Sequence, residues 1–101
     1  MLDRRHAFRK PIDMFFNKFL DGHPYLCRSV DLSHGGLLAV TFSEPRAVRG
    51  SFPLELRLPG DEAESLWIWA RGVWRQGTRH AVEFVGLDAG DRERLDRYLV
   101  S

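Results

Sequence analysis

Turn residues cut this chain into segments that suit strands better than helices. Asp21-Gly22, Gly35-Gly36, Pro59-Gly60 and Gln76-Gly77 recur along its length, and glycine or an Asp-Gly pair supplies the positive φ that tight hairpin turns need. The stretches between them predict six strands, over Ile12–Leu20, Tyr25–Val30, Leu37–Phe42, Ser51–Leu58, Leu66–Arg75 and His80–Val85. In the fourth, Leu54, Leu56 and Leu58 alternate with Glu55 and Arg57, the pattern of a strand with one buried face. Gly72 inside the fifth marks a bulge or bend. After Asp88 the texture changes: Asp88 can cap a helix, with Asp91 three residues on, and Leu95, Tyr98 and Leu99 then share one face. Six short strands and one terminal helix over 88–100 predict an all-β fold, a small antiparallel barrel over 11–86 with the helix outside it or across one mouth. At 101 residues and 44% hydrophobic, one domain over 1–101 fits and two do not.

The charge balance narrows the function. Fifteen Lys and Arg against fourteen Asp and Glu leave a formal charge of +1, too little for a field that draws a nucleic-acid polymer or an anionic membrane. Cys27 is the single cysteine, so neither an intramolecular disulfide nor a cysteine-rich zinc site can form, and its place in a strand suits a packed thiol. His6, His23, His34 and His80 show no metal-ligand spacing. No segment has the length and hydropathy of a membrane span or signal peptide. These features predict a cytoplasmic protein without a metal or cofactor, and no nucleophile elbow points to an enzyme.

Local charge is a different matter. Arg4, Arg5, Arg9 and Lys10 fall within seven residues, with Asp3 alone to offset them. Each guanidinium is a planar fork of donors that fits a phosphate, or the O6 and N7 edge of guanine, bidentately. Arg5 and Arg9, four residues apart on an arm over 1–10, can reach round a ligand. The turn Asp31-Leu32-Ser33-His34-Gly35-Gly36 offers the complement: the Asp31 carboxylate can accept from guanine N1–H and N2–H, the Ser33 hydroxyl can donate to phosphate, and Gly35 and Gly36 let the backbone adopt conformations barred to other residues and approach the ligand. His6 and His34 stand near enough to touch it.

R-x-x-x-R followed some twenty residues later by D-x-S-x-x-G resembles the paired signature of the PilZ domain family, here Arg5–Arg9 and Asp31–Gly36. The likeness spans nearly the whole chain. It implies a six-stranded PilZ-type barrel with a flexible N-terminal arm, and cyclic di-GMP as ligand, held by Arg5 and Arg9 on one side and by Asp31 and Ser33 on the other. The residue before the first motif arginine is Arg4, and family behaviour at that position points towards an intercalated pair of ligands. The resemblance further implies a bacterial second-messenger receptor that relays ligand concentration to an unidentified partner protein through ordering of the N-terminal arm, in motility, exopolysaccharide synthesis or biofilm formation. One departure is Ala81, where the family often has glycine.

Plainer readings stand beside these. The arginines can be a solvated tail, and Asp31 and Ser33 can simply bond the turn's own backbone. Trp67, Trp69 and Trp74 form either a base-stacking surface or, as expected here, core and barrel-face packing. The alternative function is a protein-interaction adaptor on the same fold that binds no nucleotide.

Overall fold

The computed structural model describes residues 9–43, 50–60 and 64–100. Its strands are β1 (Arg9–Pro11), β2 (Phe15–Leu20), β3 (His23–Ser33), β4 (Gly36–Thr41), β5 (Ser51–Leu56), β6 (Leu66–Gln76) and β7 (Arg79–Gly86), followed by helix α1 (Ala89–Val100). Strands β2 to β7 pair antiparallel in the order β3-β2-β5-β6-β7-β4, and β4 returns to pair with β3. The six-stranded barrel is therefore closed, as the pattern of short alternating segments predicts, and closure removes the sheet edges that would otherwise template aggregation.

Alternation sets the core. Phe52, Leu54 and Leu56 of β5 and Leu66, Ile68 and Ala70 of β6 point inward and are nearly or wholly buried. Helix α1 adds Leu95 and Leu99, both fully buried, to the same cluster. Its start is fixed as expected, with the Asp91 amide donating to Asp88 Oδ1 at 2.8 Å. The first hairpin turns through Asp21 (φ 53°) and Gly22 (φ 81°), the conformation in which Asp-Gly matches strand twist. Cys27 is buried, as a packed thiol.

Three expectations need correction. Pairing starts at Arg9, ahead of the predicted Ile12, so the last two residues of the proposed arm belong to β1; Arg4, Arg5 and His6 lie outside the described residues. Strand β4 occupies one edge of β3 over Cys27–Leu32, leaving β2 and β1 to share the other. They form one interrupted strand. In the gap, Ser29 Oγ accepts from the Met14 amide at 3.2 Å and approaches the Ile12 and Met14 carbonyl oxygens at 3.2 and 3.1 Å, satisfying backbone groups the ladder misses. Beside it Arg28 donates to both oxygens of Asp13 at 2.6 and 2.7 Å, which holds that carboxyl below the usual range. Second, β3 runs on through Ser33, so Asp31 and Ser33 are strand residues and the turn itself is His34-Gly35. Third, of the expected core and barrel-face packing, the tryptophans take only the barrel face. The smaller inward residues of β6 fill the interior, and Trp67, Trp69 and Trp74 stand about half exposed on the barrel face, Trp67 with its ring 5.4 Å from that of Phe19.

The bulge expected at Gly72 is present: Gly72 pairs with Val82 and Trp74 with Ala81, leaving Val73 as the extra residue. An inserted residue breaks the alternation and turns Val73 outward at 59% exposure. The interior also holds a polar group that the sequence reading does not single out. Lys18 is 1% exposed, its Nζ 3.3 Å from His80 Nε2 and 5.0 Å from the centre of the Phe52 ring.

Candidate functional site

Strand register brings the described motif residues together. Arg9 pairs with Ser33 across β1 and β3, and Pro11 with Asp31. Arg9 donates from Nε (3.2 Å) and Nη2 (2.6 Å) to a single oxygen, Asp31 Oδ1. Two residues twenty-two apart in sequence thus meet through their side chains, at half exposure for Arg9 and a quarter for Asp31. Such a pair holds both groups in place at small net energy, on the order of 0–1 kcal/mol. Among the described residues, no other group bonds to Asp31 Oδ2.

Next to it, a cleft of about 680 Å³ is lined by Arg9, by the turn from Ser33 to Leu37, and by Val73, Ala81, Val82 and Glu83 of β6 and β7. Its volume is in the range of ordinary ligand sites. Ser33 is buried, and its hydroxyl donates to the Gly36 carbonyl at 3.2 Å, so part of its capacity serves the turn's backbone. Neither Gly35 nor Gly36 has positive φ. The reason for glycine at Gly36 is a close approach of strands: a Cβ there would sit 2.0 Å from the Val82 carbonyl oxygen, whereas at Gly35 it would meet nothing within 4 Å. Gly36 lets β4 lie against β7, and the bare backbone that results forms the cleft floor. Ala81, the departure from the family pattern, lies in the cleft wall.

Helix α1 clasps the same region. His34 Nδ1 is 2.7 Å from Asp96 Oδ1, and since a carboxylate only accepts, Nδ1 carries the proton. Arg92 Nη1 donates to the His34 carbonyl at 2.8 Å. Lys10 Nζ donates to the Tyr98 carbonyl at 3.0 Å and stands 4.0 Å above the Tyr98 ring, and burial raises the pKa of that phenol. His34 lines the cleft, with its ring steadied from the helix. Among the described residues no cluster of His, Cys, Asp and Glu could hold a metal ion, and no helix is long and apolar enough to cross a membrane.

The sequence reading does not find the opposite wall, Val73 and Glu83. Glu83 reaches the cleft because it pairs with Gly36, a relation visible only once β4 and β7 are in register. Gly72 is the one sequence signal for Val73.

A family model described as PilZ domain matches residues 3–101. Among curated proteins no sequence matches. Among solved structures, the inhibitor of motility MotI/DgrA from Bacillus subtilis is similar at a TM-score of 0.73 and 20% identity, over 98% of this chain and 50% of that one. This chain therefore spans half the length of that relative. The PilZ domain of CeSA from a cellulose-synthesizing bacterium gives 0.71 and 21%, over 93% and 96% of the two chains. The PilZ domain with c-di-GMP of YcgR from Escherichia coli gives 0.67 and 21%, over 97% and 90%.

Proposed function

Since the chain belongs to the PilZ domain family, we propose that it is a binding domain, not an enzyme, and that its ligand is cyclic di-GMP. The observation that carries this reading is the meeting of Arg9 with Asp31 at the edge of a ligand-sized cleft floored by the Ser33–Gly36 turn. The chemistry is complementary: the guanidinium reads phosphate or the O6 and N7 edge of guanine, and the second Asp31 oxygen accepts from guanine N1–H and N2–H. Arg5, four residues before Arg9, supplies the second fork of a clamp over residues 1–10, and Arg4 beside it favours an intercalated pair. The solved PilZ domain of YcgR carries c-di-GMP in a similar fold, which supports the assignment. In the free chain Arg9 and Asp31 satisfy one another, so ligand competes with an existing pair. That cost, with ordering of the arm, suits a switch of about micromolar affinity.

The same geometry supports a relay. Lys10 and His34 connect the ligand-bearing segments to α1, so occupancy of the cleft reaches the helix, and from there a partner protein, in a cytoplasmic pathway such as motility or exopolysaccharide control. An adaptor reading has one observation in its favour: Phe15, Phe42, Trp67 and Trp69 leave apolar surface exposed on the barrel. Thermal unfolding separates the two. A ligand at a hundred times its dissociation constant adds about 2.7 kcal/mol, which for a domain of this size raises Tm by about 10–20 °C. Cyclic di-GMP should give that rise while GTP and cyclic di-AMP do not; an adaptor that binds no nucleotide shows no rise with any of them.

A further inference from the structure

Arg9, Ser33, Gly36, Glu83 and Arg71 form one row across five strands. Arg9 pairs with Ser33, Gly36 with Glu83, and Glu83 with Arg71, while the Ser33–Gly36 hydrogen bond bridges the middle. Directly opposed residues of antiparallel strands project from the same face, so the row lies along the outside of the barrel. Three strand spacings separate Arg9 from Glu83, about 14 Å along the sheet. Its two ends match. Among the described residues, at one end Arg9 donates to Oδ1 of Asp31 and leaves Oδ2 without a hydrogen bond, and at the other Arg71 Nε donates to Glu83 Oε1 at 2.9 Å and leaves Oε2 without one. Between them lies the bare floor at Gly36, with Val73 presented beside it by the β6 bulge.

We propose that Glu83, held by Arg71, is the second base-reading group of the cleft and selects guanine at that end as Asp31 does at the other. This rests on the cyclic di-GMP reading given above and deepens it. A dinucleotide with two guanines presents two N1–H and N2–H edges, and each needs an acceptor that adenine, with an acceptor at N1, does not satisfy. Glu83 alone would repel a ligand with two phosphates; Arg71 neutralises that charge while leaving one carboxylate oxygen to accept. Val73 gives the base an apolar surface.

A mixed ligand tests this directly, because cyclic GMP–AMP has a guanine for Asp31 and an adenine for Glu83. The affinities of cyclic di-GMP and cyclic GMP–AMP are compared by calorimetry for the wild-type chain and for Glu83→Gln, with Tm as the check on folding. A glutamine keeps the shape and adds a donor, so it accepts adenine. Wild type should prefer cyclic di-GMP by about tenfold or more, the worth of a charge-assisted hydrogen bond, and Glu83→Gln should bring the ratio close to one. Binding of cyclic di-GMP with the preference unchanged in Glu83→Gln overturns the role of Glu83 and leaves the receptor reading standing. Failure of the wild-type chain to bind either dinucleotide overturns both.

Discussion

Replacing Arg9 with alanine should weaken cyclic di-GMP binding by about a hundredfold or more in a calorimetric titration. Two effects act in the same direction. The variant loses a bidentate, charge-assisted contact, whose hydrogen bonds contribute roughly 1.5–3 kcal/mol each. It also leaves Asp31, now bound to Arg9 at 2.6 Å, as an uncompensated carboxylate beside a doubly anionic ligand. The second effect predicts a distinctive non-additivity. With Asp31 already replaced by alanine, removal of Arg9 should cost less than in the wild-type background, and a double-mutant cycle reads the difference. The folded state should hardly change, since Arg9 is half exposed and Asp31 a quarter exposed, and surface pairs contribute little to stability. Equal losses in both backgrounds would mean that Asp31 and Arg9 act independently on the ligand.

The second large effect falls on the fold. Gly36→Ala places a methyl 2.0 Å from the Val82 carbonyl oxygen and 3.2 Å from Glu83 Cα, both backbone atoms. No rotamer change relieves that contact, so β4 and β7 must part, at the expense of the Gly36–Glu83 pairing and of the Phe84 amide's 2.7 Å hydrogen bond to the Gly35 carbonyl. Overpacking of this kind costs on the order of 1–3 kcal/mol, and Tm should fall by about 10 °C. Gly35→Ala is the control: its Cβ meets nothing and its φ is ordinary. That variant should melt within a few degrees of wild type while its methyl, projecting from the cleft lining, weakens ligand binding. Differential scanning calorimetry of the pair checks this assignment, and equal melting temperatures would contradict it.

How much of this was legible in the sequence depends on the range over which each interaction acts. Asp21-Gly22 announces its turn because positive φ is a local demand, and Asp88 announces the helix because a cap reaches only three residues. The bulge at Gly72 and the inward Leu54 and Leu56 are equally local. Misplacements begin where partners are distant. Read alone, Arg9 and Lys10 belong to a charged tail; they join a strand because β3 offers an edge and because Tyr98 and Asp31, distant in sequence, receive their side chains. The tryptophans look like core by size, yet alternation on β6 gives the inside to Leu66, Ile68 and Ala70. Gly36 was legible as a special position but for a different reason, since the Val82 carbonyl that excludes a side chain lies forty-six residues away. Glu83 carried no motif at all, and only the register between β4 and β7 places it in the cleft.

Whether the Arg9–Asp31 edge and the cleft beside it receive cyclic di-GMP, as proposed, is read by calorimetric titration of the purified chain with that ligand, with GTP and cyclic di-AMP run in parallel. The expected result is saturable binding at about micromolar or tighter affinity for cyclic di-GMP alone, with a stoichiometry that separates a single ligand from an intercalated pair. No heat and no shift in Tm at high cyclic di-GMP would contradict it and leave the protein-interaction adaptor as the reading of this fold.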